Sequence, residues 1–166
     1  MISIRALRPS EWLLFREFRL AALRASPGVF LGTFEREAAH TQERWAALLA
    51  GIDGAVFGLF EGTEVIGITS VYTDQDDPNG STAGLAMSFI LPAYRGRGLS
   101  AKLYEARLAW IRSRPKFRRV RVGHRASNEA SMRAIQRHGF ALIDRKRRLW
   151  PDGGQEDELI YELWLG

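Results

Sequence analysis

One short segment, residues 90–100, constrains the fold of this chain more than any other. An apolar strand ends at Pro92, a turn with Gly96 and Gly98 follows, and an amphipathic helix begins directly after the turn. The first turn of a helix leaves backbone N–H groups without partners and carries the positive end of the helix dipole. Because glycine lets a backbone approach a ligand closely, and Arg95 and Arg97 add positive charge, the segment predicts a pyrophosphate cradle.

The same segment differs from two common phosphate-binding motifs. It lacks the Gly-Lys-Ser/Thr ending of a P-loop. It also lacks the third glycine of the dinucleotide-binding fingerprint. Ser100 adds a hydroxyl in the first turn of the helix. The alternative interpretation is an ordinary strand-to-helix turn that needs glycine for its backbone conformation.

Length and cysteine content limit the class of protein. The 166 residues contain no linker, repeat or low-complexity tract, so we expect one domain over residues 1–166. The absence of cysteine excludes a disulfide scaffold, a cysteine-ligated metal and a thiol nucleophile. No apolar stretch reaches the roughly 20 residues of a membrane helix, and the N-terminus turns polar too early for a signal peptide. We therefore expect a cytoplasmic protein with no membrane partner.

Positive charge is concentrated in the second half of the chain. Residues 112–148 contain thirteen Lys or Arg and only two acidic residues, Glu129 and Asp144. Such a basic segment in an otherwise acidic chain indicates an anionic partner, either a nucleic acid or a polyanionic small molecule. The alternative is a solvated basic face.

The spacing of apolar residues predicts an α/β protein (mixed α+β) with the element order β-α-α-β-β-β-α-β-α-β-β. The helix after Gly98 lies between strands at residues 85–91 and 119–124, which predicts a βαβ-like crossover within a mostly antiparallel sheet. A helix over residues 128–138 ends at Gly139, which suits the left-handed position past a helix end. Two further helices begin near Ser10 and Thr41. The remaining strands are predicted at residues 2–7, 55–60, 65–72, 141–150 and 159–165.

The segment at residues 90–100 resembles the acyl-CoA signature of the GNAT family of N-acetyltransferases. That signature reads Arg/Gln-x-x-Gly-x-Gly/Ala after a strand that ends in an apolar-x-Pro step. Here Arg95, Gly98 and Ser100 supply Arg-x-x-Gly-x-Ser, and Ile90 and Pro92 precede them. The family's second element, Asn…Gly-Phe, matches Asn128, Gly139 and Phe140. Since the element order is also that of the family, the resemblance covers essentially the whole chain.

The resemblance implies a GNAT fold, with a sheet of about seven strands flanked by four helices, and acetyl-CoA as co-substrate. Pantetheine would lie against the strand before the signature and pair with the backbone of Phe89, Ile90 and Leu91. Asn128 would contact the pantetheine arm, and the basic segment is a candidate for the 3′-phosphate-ADP end of the cofactor. Backbone amides of the turn would hold the pyrophosphate: Arg95, Gly96, Arg97, Gly98, Leu99 and Ser100.

The chain departs from the family pattern at three places. Ser100 stands where glycine or alanine is usual. Ile135 occupies the position of a tyrosine that many members use as general acid. Branches that act on protein N-termini have a serine on this helix instead, and Ser131 resembles that version. The strand at residues 83–91 contains no acid, whereas members with a general base there carry a glutamate.

Candidate catalytic and acceptor-binding residues follow from what remains. Ser131 is the candidate general acid, and His124, at the end of a strand that borders the cofactor, is the candidate base; the alternative for His124 is a structural role. Glu35 and Glu37 lie in the loop between the first two helices, which in the family lines the acceptor side, and they could bind a cationic amine. A solvated polar loop is the alternative for both. No histidine has metal-ligand spacing, so we assign no metal.

The sequence therefore predicts an N-acetyltransferase. The acetyl group of acetyl-CoA would pass to a primary amine, on a small molecule or a peptide or protein N-terminus, by direct attack in a ternary complex. One alternative is a catalytically silent acyl-CoA-binding sensor. A second is a nucleic-acid binder, which the shortage of stacking aromatics in the basic segment disfavours. A homodimer is left open.

Overall fold

The chain forms seven strands and five α-helices in the computed structural model, which describes residues 1–166. The strands are β1 (Ile2–Ala6), β2 (Gly54–Glu61), β3 (Glu64–Thr73), β4 (Thr82–Ile90), β5 (Arg119–Arg125), β6 (Ala141–Leu149) and β7 (Gln155–Trp164). The helices are α1 (Trp12–Ala25), α2 (Phe34–Ala38), α3 (Gln42–Leu48), α4 (Ser100–Arg112) and α5 (Glu129–Arg137). The predicted class and the seven strands are confirmed.

Helix α2 was not predicted, so the prediction of four helices is wrong by one. Thr33 caps α2, because its hydroxyl accepts a hydrogen bond from the Arg36 N–H at 3.3 Å. The helix has only five residues. A segment of that length completes little more than one turn and therefore shows no apolar repeat in the sequence.

The strands form one sheet in the order β1-β2-β3-β4-β5-β7-β6. All neighbouring strands are antiparallel except β4 and β5, which are parallel. Helix α4 makes the crossover between these two strands, as the sequence predicts. Strand β6 is an edge of the sheet, and all but one of its nine residues are exposed.

Each face of the sheet carries its own apolar core. On one face, here called the α4/α5 face, residues such as Val120, Ile111 and Ile135 pack together. On the other, here called the α1/α3 face, Phe15 and Trp45 pack edge to face at 5.2 Å between ring centroids. Since side chains alternate along a strand, even-numbered residues of β5 point to the α4/α5 face and odd-numbered residues to the α1/α3 face. No helix is both long and apolar enough to cross a bilayer.

Candidate active site

An opening separates β4 from β5 along most of their length. The two strands pair at only three positions, residues 82–84 of β4 with residues 119–121 of β5. Beyond Gly84 they diverge, so the rest of β4 has no strand partner on its β5 side. The opening can therefore accept an extended ligand that pairs with the β4 backbone as an added strand would.

Two of the backbone positions predicted for pantetheine already have partners within the protein. The Leu91 N–H donates to the Ile66 carbonyl at 2.9 Å. The Ile90 carbonyl accepts from Arg95 Nε at 2.8 Å, although a carbonyl has a second lone pair. Phe89 lies in the part of β4 that has no partner on β5. Its ring packs against that of Phe18 on α1, with 6.1 Å between the ring centroids.

A strained bulge interrupts β4 inside the opening. The register of β4 against β3 shifts by one residue between positions 68 and 70, so Thr69 lies opposite two residues, Met87 and Ser88. Met87 has φ of 60°, in the left-handed region that costs a non-glycine residue about 1–3 kcal/mol. The Thr69 and Ser88 hydroxyls are 2.8 Å apart and hold the bulge. A bulge of this kind leaves the backbone of its extra residue unpaired in the ladder and bends the strand.

The two-glycine turn lies at the wide end of this opening. Gly96 and Gly98 have φ of 76° and 73°, and a Cβ on either would meet no atom within 4 Å. The backbone conformation therefore requires glycine, and the space above both residues is free. Buried Leu99 anchors the turn, and α4 begins at Ser100. These features are those of the predicted cradle.

The two arginines of the turn brace it against the strand end. The Arg95 guanidinium lies over the Phe89 ring at 5.0 Å. Arg97 lies over the Tyr94 ring at 5.0 Å and donates to the Ala93 carbonyl at 3.3 Å. Both side chains remain exposed, so their charge contributes to the surface at the cradle.

Helix α5 presents its N-terminal end beside the end of β5. Asn128 caps the helix, because its Oδ1 accepts from the Ser131 N–H at 3.2 Å. The cap leaves the Asn128 amide nitrogen available as a donor. Ser131, Ala134 and Ile135 share the inward face of the helix, and Ser131 is the half-buried residue of that face nearest its start. Ser131 and Asn128 therefore lie together, and their roles as general acid and cofactor ligand stay predictions.

His124 is buried, and both of its ring nitrogens have protein partners. Nδ1 lies 2.7 Å from the Arg125 carbonyl, so it carries the proton and donates. Nε2 lies 3.2 Å from the Tyr161 hydroxyl and accepts from it. The imidazole also stacks on the Tyr161 ring at 5.4 Å between centroids. These contacts fit the structural alternative, and a catalytic role for His124 stays a prediction.

Glu35 and Glu37 both belong to α2 but have different surroundings. Glu37 makes a bidentate ion pair with Arg19 of α1, with N···O distances of 2.8 and 3.0 Å. The Glu37 side chain is 13% exposed and the Arg19 side chain is 5% exposed. Glu35 is exposed and borders a surface cavity together with Gly32 and Pro151. Glu37 thus has a role in holding α2 on α1, and acceptor binding by either residue stays a prediction.

We expect Glu37→Gln to destabilise the fold. The substitution leaves the buried Arg19 guanidinium without its counter-charge, and breaking a buried pair costs about 3–5 kcal/mol. Thermal unfolding should therefore show a fall in Tm of about 6–20 °C. Glu35→Gln on the same helix is the matched control and should change stability by less than about 0.5 kcal/mol. Equal Tm values for the two variants would contradict a stabilising role of the Arg19 pair.

Arg125 joins three separate elements at the end of β5. It donates to the Gly28 carbonyl after α1 at 2.8 Å and to Asp152 Oδ2 in the β6–β7 turn at 2.7 Å. It also pairs with Glu156 of β7. Arg125 and its partners line a surface cavity of about 430 Å³, and Asn128 lines it as well. The segment after α1 and the β6–β7 turn therefore meet above the end of β5 and enclose one side of the α1/α3 face.

Five of the thirteen basic residues in the segment form ion pairs within the protein. Arg121 pairs with Glu162, Arg147 with Asp157, and Arg148 with Glu158, all on β7. Strand β7 is rich in acidic residues, and folding places it between basic β5 and basic β6. This arrangement neutralises charge that the sequence leaves unpaired, and it weakens the case for a nucleic-acid surface.

Two side chains that the sequence analysis did not single out lie next to strand glycines. The Tyr72 ring lies over Gly84, and a Cβ on Gly84 would be 2.5 Å from the Tyr72 hydroxyl oxygen. Glu158 lies over Gly123, where a Cβ would be 2.7 Å from Oε2. An isolated glycine inside a strand indicates a close approach by another group. That signal could have located both contacts, though not their partners.

Comparisons with known proteins agree with this geometry. The model of the acetyltransferase (GNAT) family matches residues 14–140. A GNAT-family acetyltransferase from Streptococcus pneumoniae has a TM-score of 0.86 at 18% identity, with 100% of both chains covered. The putative acetyltransferase yncA from Salmonella typhimurium, solved with acetyl-CoA, has a TM-score of 0.79 at 19% identity, with coverage of 100% of this chain and 95% of that one.

A third solved structure is a eukaryotic protein. Arabidopsis thaliana NAA60, in complex with a bisubstrate analogue, has a TM-score of 0.76 at 16% identity and covers 99% of this chain and 98% of its own. No curated protein sequence matches the chain. The family match spans both the glycine turn and α5. It confirms the resemblance and the enzyme class, and the chain therefore belongs to the GNAT family of acetyltransferases.

Proposed function

We propose that this protein transfers the acetyl group of acetyl-CoA to a primary amine by direct attack within a ternary complex. The acceptor amine belongs to a small molecule or to a peptide or protein N-terminus. The observation that carries the proposal is the opening between β4 and β5, which ends at a free two-glycine turn in front of α4. An extended arm with a pyrophosphate at one end fits that combination.

The chain has a group for each part of acetyl-CoA. Backbone N–H groups from Arg95 to Ser100, with the positive end of the α4 dipole, would hold the pyrophosphate. The unpaired β4 backbone near Phe89 would pair with the pantetheine amides, and the Asn128 amide nitrogen would donate to them from α5. The thioester would then lie deeper in the opening, towards the bulge at Met87.

The same groups support the transfer step. The amine nitrogen attacks the thioester carbonyl carbon, and negative charge develops on the carbonyl oxygen. Backbone N–H groups that the bulge leaves unpaired would donate to that oxygen. When the C–S bond breaks, the sulfur leaves as a thiolate, and Ser131 is the candidate that donates a proton to it. The amine loses its own proton to solvent or to a base near the acceptor.

An N-terminal acceptor has support from two sides. Ser131 on α5 resembles the serine of branches that act on protein N-termini. The contact of Arg125 with Gly28 and Asp152 encloses one side of the α1/α3 face. An enclosed approach suits a narrow acceptor, such as a small amine or an extended N-terminal segment.

Binding and turnover measured together test the proposal. Isothermal titration should show that acetyl-CoA binds, and release of free thiol should show turnover with at least one member of a panel of alkylamines, polyamines and short peptides with free N-termini. Binding without turnover on the whole panel would favour the silent sensor. Retention on heparin that coenzyme A does not compete would favour the nucleic-acid binder.

A further inference from the structure

Two polar side chains flank the point where β4 and β5 part, on the α1/α3 face. Gly84 is the last β4 residue that pairs with β5, and Tyr72 is its partner on β3. The Tyr72 ring lies across Gly84 and places its hydroxyl over that glycine. Gly123 is the second β5 residue beyond the last pair, and Glu158 Oε2 lies over it. The hydroxyl and the carboxylate thus stand on opposite sides of the narrow end of the opening.

Glu158 is held in one orientation. Its Oε1 accepts from Arg148 Nε at 2.6 Å, which leaves Oε2 directed towards Gly123. The side chain is only 14% exposed. A carboxylate fixed in this way needs no further ordering before it accepts a hydrogen bond from a ligand.

The surroundings of Tyr72 keep its hydroxyl neutral. Tyr72 is 46% exposed. Partial desolvation of its ring, followed by the nearby carboxylates of Asp74, Glu158 and Asp76, raises the pKa of Tyr72 above its ordinary value. The phenol is therefore protonated at physiological pH, and its oxygen can accept a hydrogen bond. The acidic residues around it favour a cation over an anion.

We propose that the Tyr72 hydroxyl and the Glu158 carboxylate form the subsite that binds the ammonium group of the acceptor. The inference rests on the proposed function. An ammonium group carries three donors, and Glu158 Oε2 and the Tyr72 oxygen supply two acceptors for them. The glycines at 84 and 123 have no Cβ, so the Tyr72 ring and the Glu158 carboxylate can lie directly against the two strands. Only the neutral amine attacks the thioester, so one ammonium proton passes to water before the attack. The amine held here then lies at the mouth of the opening from which the thioester is reached.

The subsite selects a class of acceptor. Because Asp74 and Asp76 place negative charge near Tyr72, an amine with a neighbouring carboxylate is disfavoured. Alkylamines, polyamines and peptide N-termini, in which the neighbouring carboxyl is an amide, fit the subsite. Free α-amino acids do not fit it.

The test compares charged and uncharged nucleophiles. Butylamine, spermidine and a tri-alanine amide are ammonium probes at neutral pH, whereas hydroxylamine is largely uncharged there. Glu158→Gln should raise the KM of the best ammonium probe about 10- to 100-fold, the range for loss of a hydrogen bond to a charged group. It should leave the KM of hydroxylamine and the affinity for acetyl-CoA nearly unchanged. Tyr72→Phe should raise the same KM by about 3- to 10-fold.

Asp157→Asn is the matched control, because Asp157 is the sequence neighbour of Glu158, pairs with an arginine, and lies on the opposite face of β7. The subsite alone would be overturned if the wild type turns over an ammonium probe but Glu158→Gln and Tyr72→Phe change its KM no more than Asp157→Asn does. Acetyl-CoA binding without turnover of any probe by the wild type would overturn the proposed function and the subsite with it. Thermal unfolding of each variant separates these outcomes from misfolding, and Tyr72→Phe decides the question if Glu158→Gln does not fold.

Discussion

Gly98→Glu is expected to lower the affinity for acetyl-CoA by about 100-fold or more. The new side chain would occupy the free space above the turn and place a negative charge where the pyrophosphate binds. Loss of two hydrogen bonds to a charged group, each about 1.5–3 kcal/mol, is sufficient for that change. Isothermal titration of wild type and variant measures it.

Gly62→Glu is the matched control for this substitution. Gly62 lies in the β2–β3 turn with φ of 58°, and a Cβ there also meets no atom within 4 Å. Both variants therefore carry the same charge and a similar backbone strain of about 1–2 kcal/mol. Only Gly98→Glu should lose affinity. Equal affinities in the two variants would remove the turn from the cofactor site.

Ser131→Ala is expected to lower kcat by about 10²-fold or more while acetyl-CoA affinity stays nearly the same. General acid catalysis contributes roughly 10²–10⁴-fold to a rate. The Asn128 cap uses the backbone N–H of residue 131, so it survives the substitution. Ser131→Thr keeps a hydroxyl and should recover part of the rate. Unchanged turnover in Ser131→Ala would show that the thiolate leaves without a proton from this residue.

The conformation of the two-glycine turn could be predicted because its determinants are local. Pro92 stops β4, the glycines supply positive φ at 96 and 98, and the helix begins directly after them. Asn128 is likewise a local cap with its partner three residues away. The parallel crossover followed from a helix between two strands. In each case the residues that determine the structure lie within one segment of the chain.

Features that depend on distant contacts could not be predicted. The bulge at Met87 depends on Thr69 in the neighbouring strand β3, and nothing in the residues around Met87 requires a positive φ. The Arg19–Glu37 pair joins two helices through residues that are 18 positions apart in the sequence. The sequence of residues 112–148 reveals their positive charge, but it does not reveal that the acidic strand β7 lies between β5 and β6. Charge balance in a fold depends on which strands become neighbours, and local sequence does not specify that.

The exposed edge strand β6 has a consequence for how the protein behaves at high concentration. Its open edge offers unpaired N–H and C=O groups to another chain. A basic run, residues 145–148, lies along it, and two of its members, Arg145 and Lys146, form no ion pair within the protein. Two copies that approach edge to edge would bring like charges together, and the repulsion keeps them apart. Salt shortens the range of that repulsion, to about 10 Å at 0.1 M and about 3 Å at 1 M, so colloidal stability should be greater in dilute buffer than in concentrated salt.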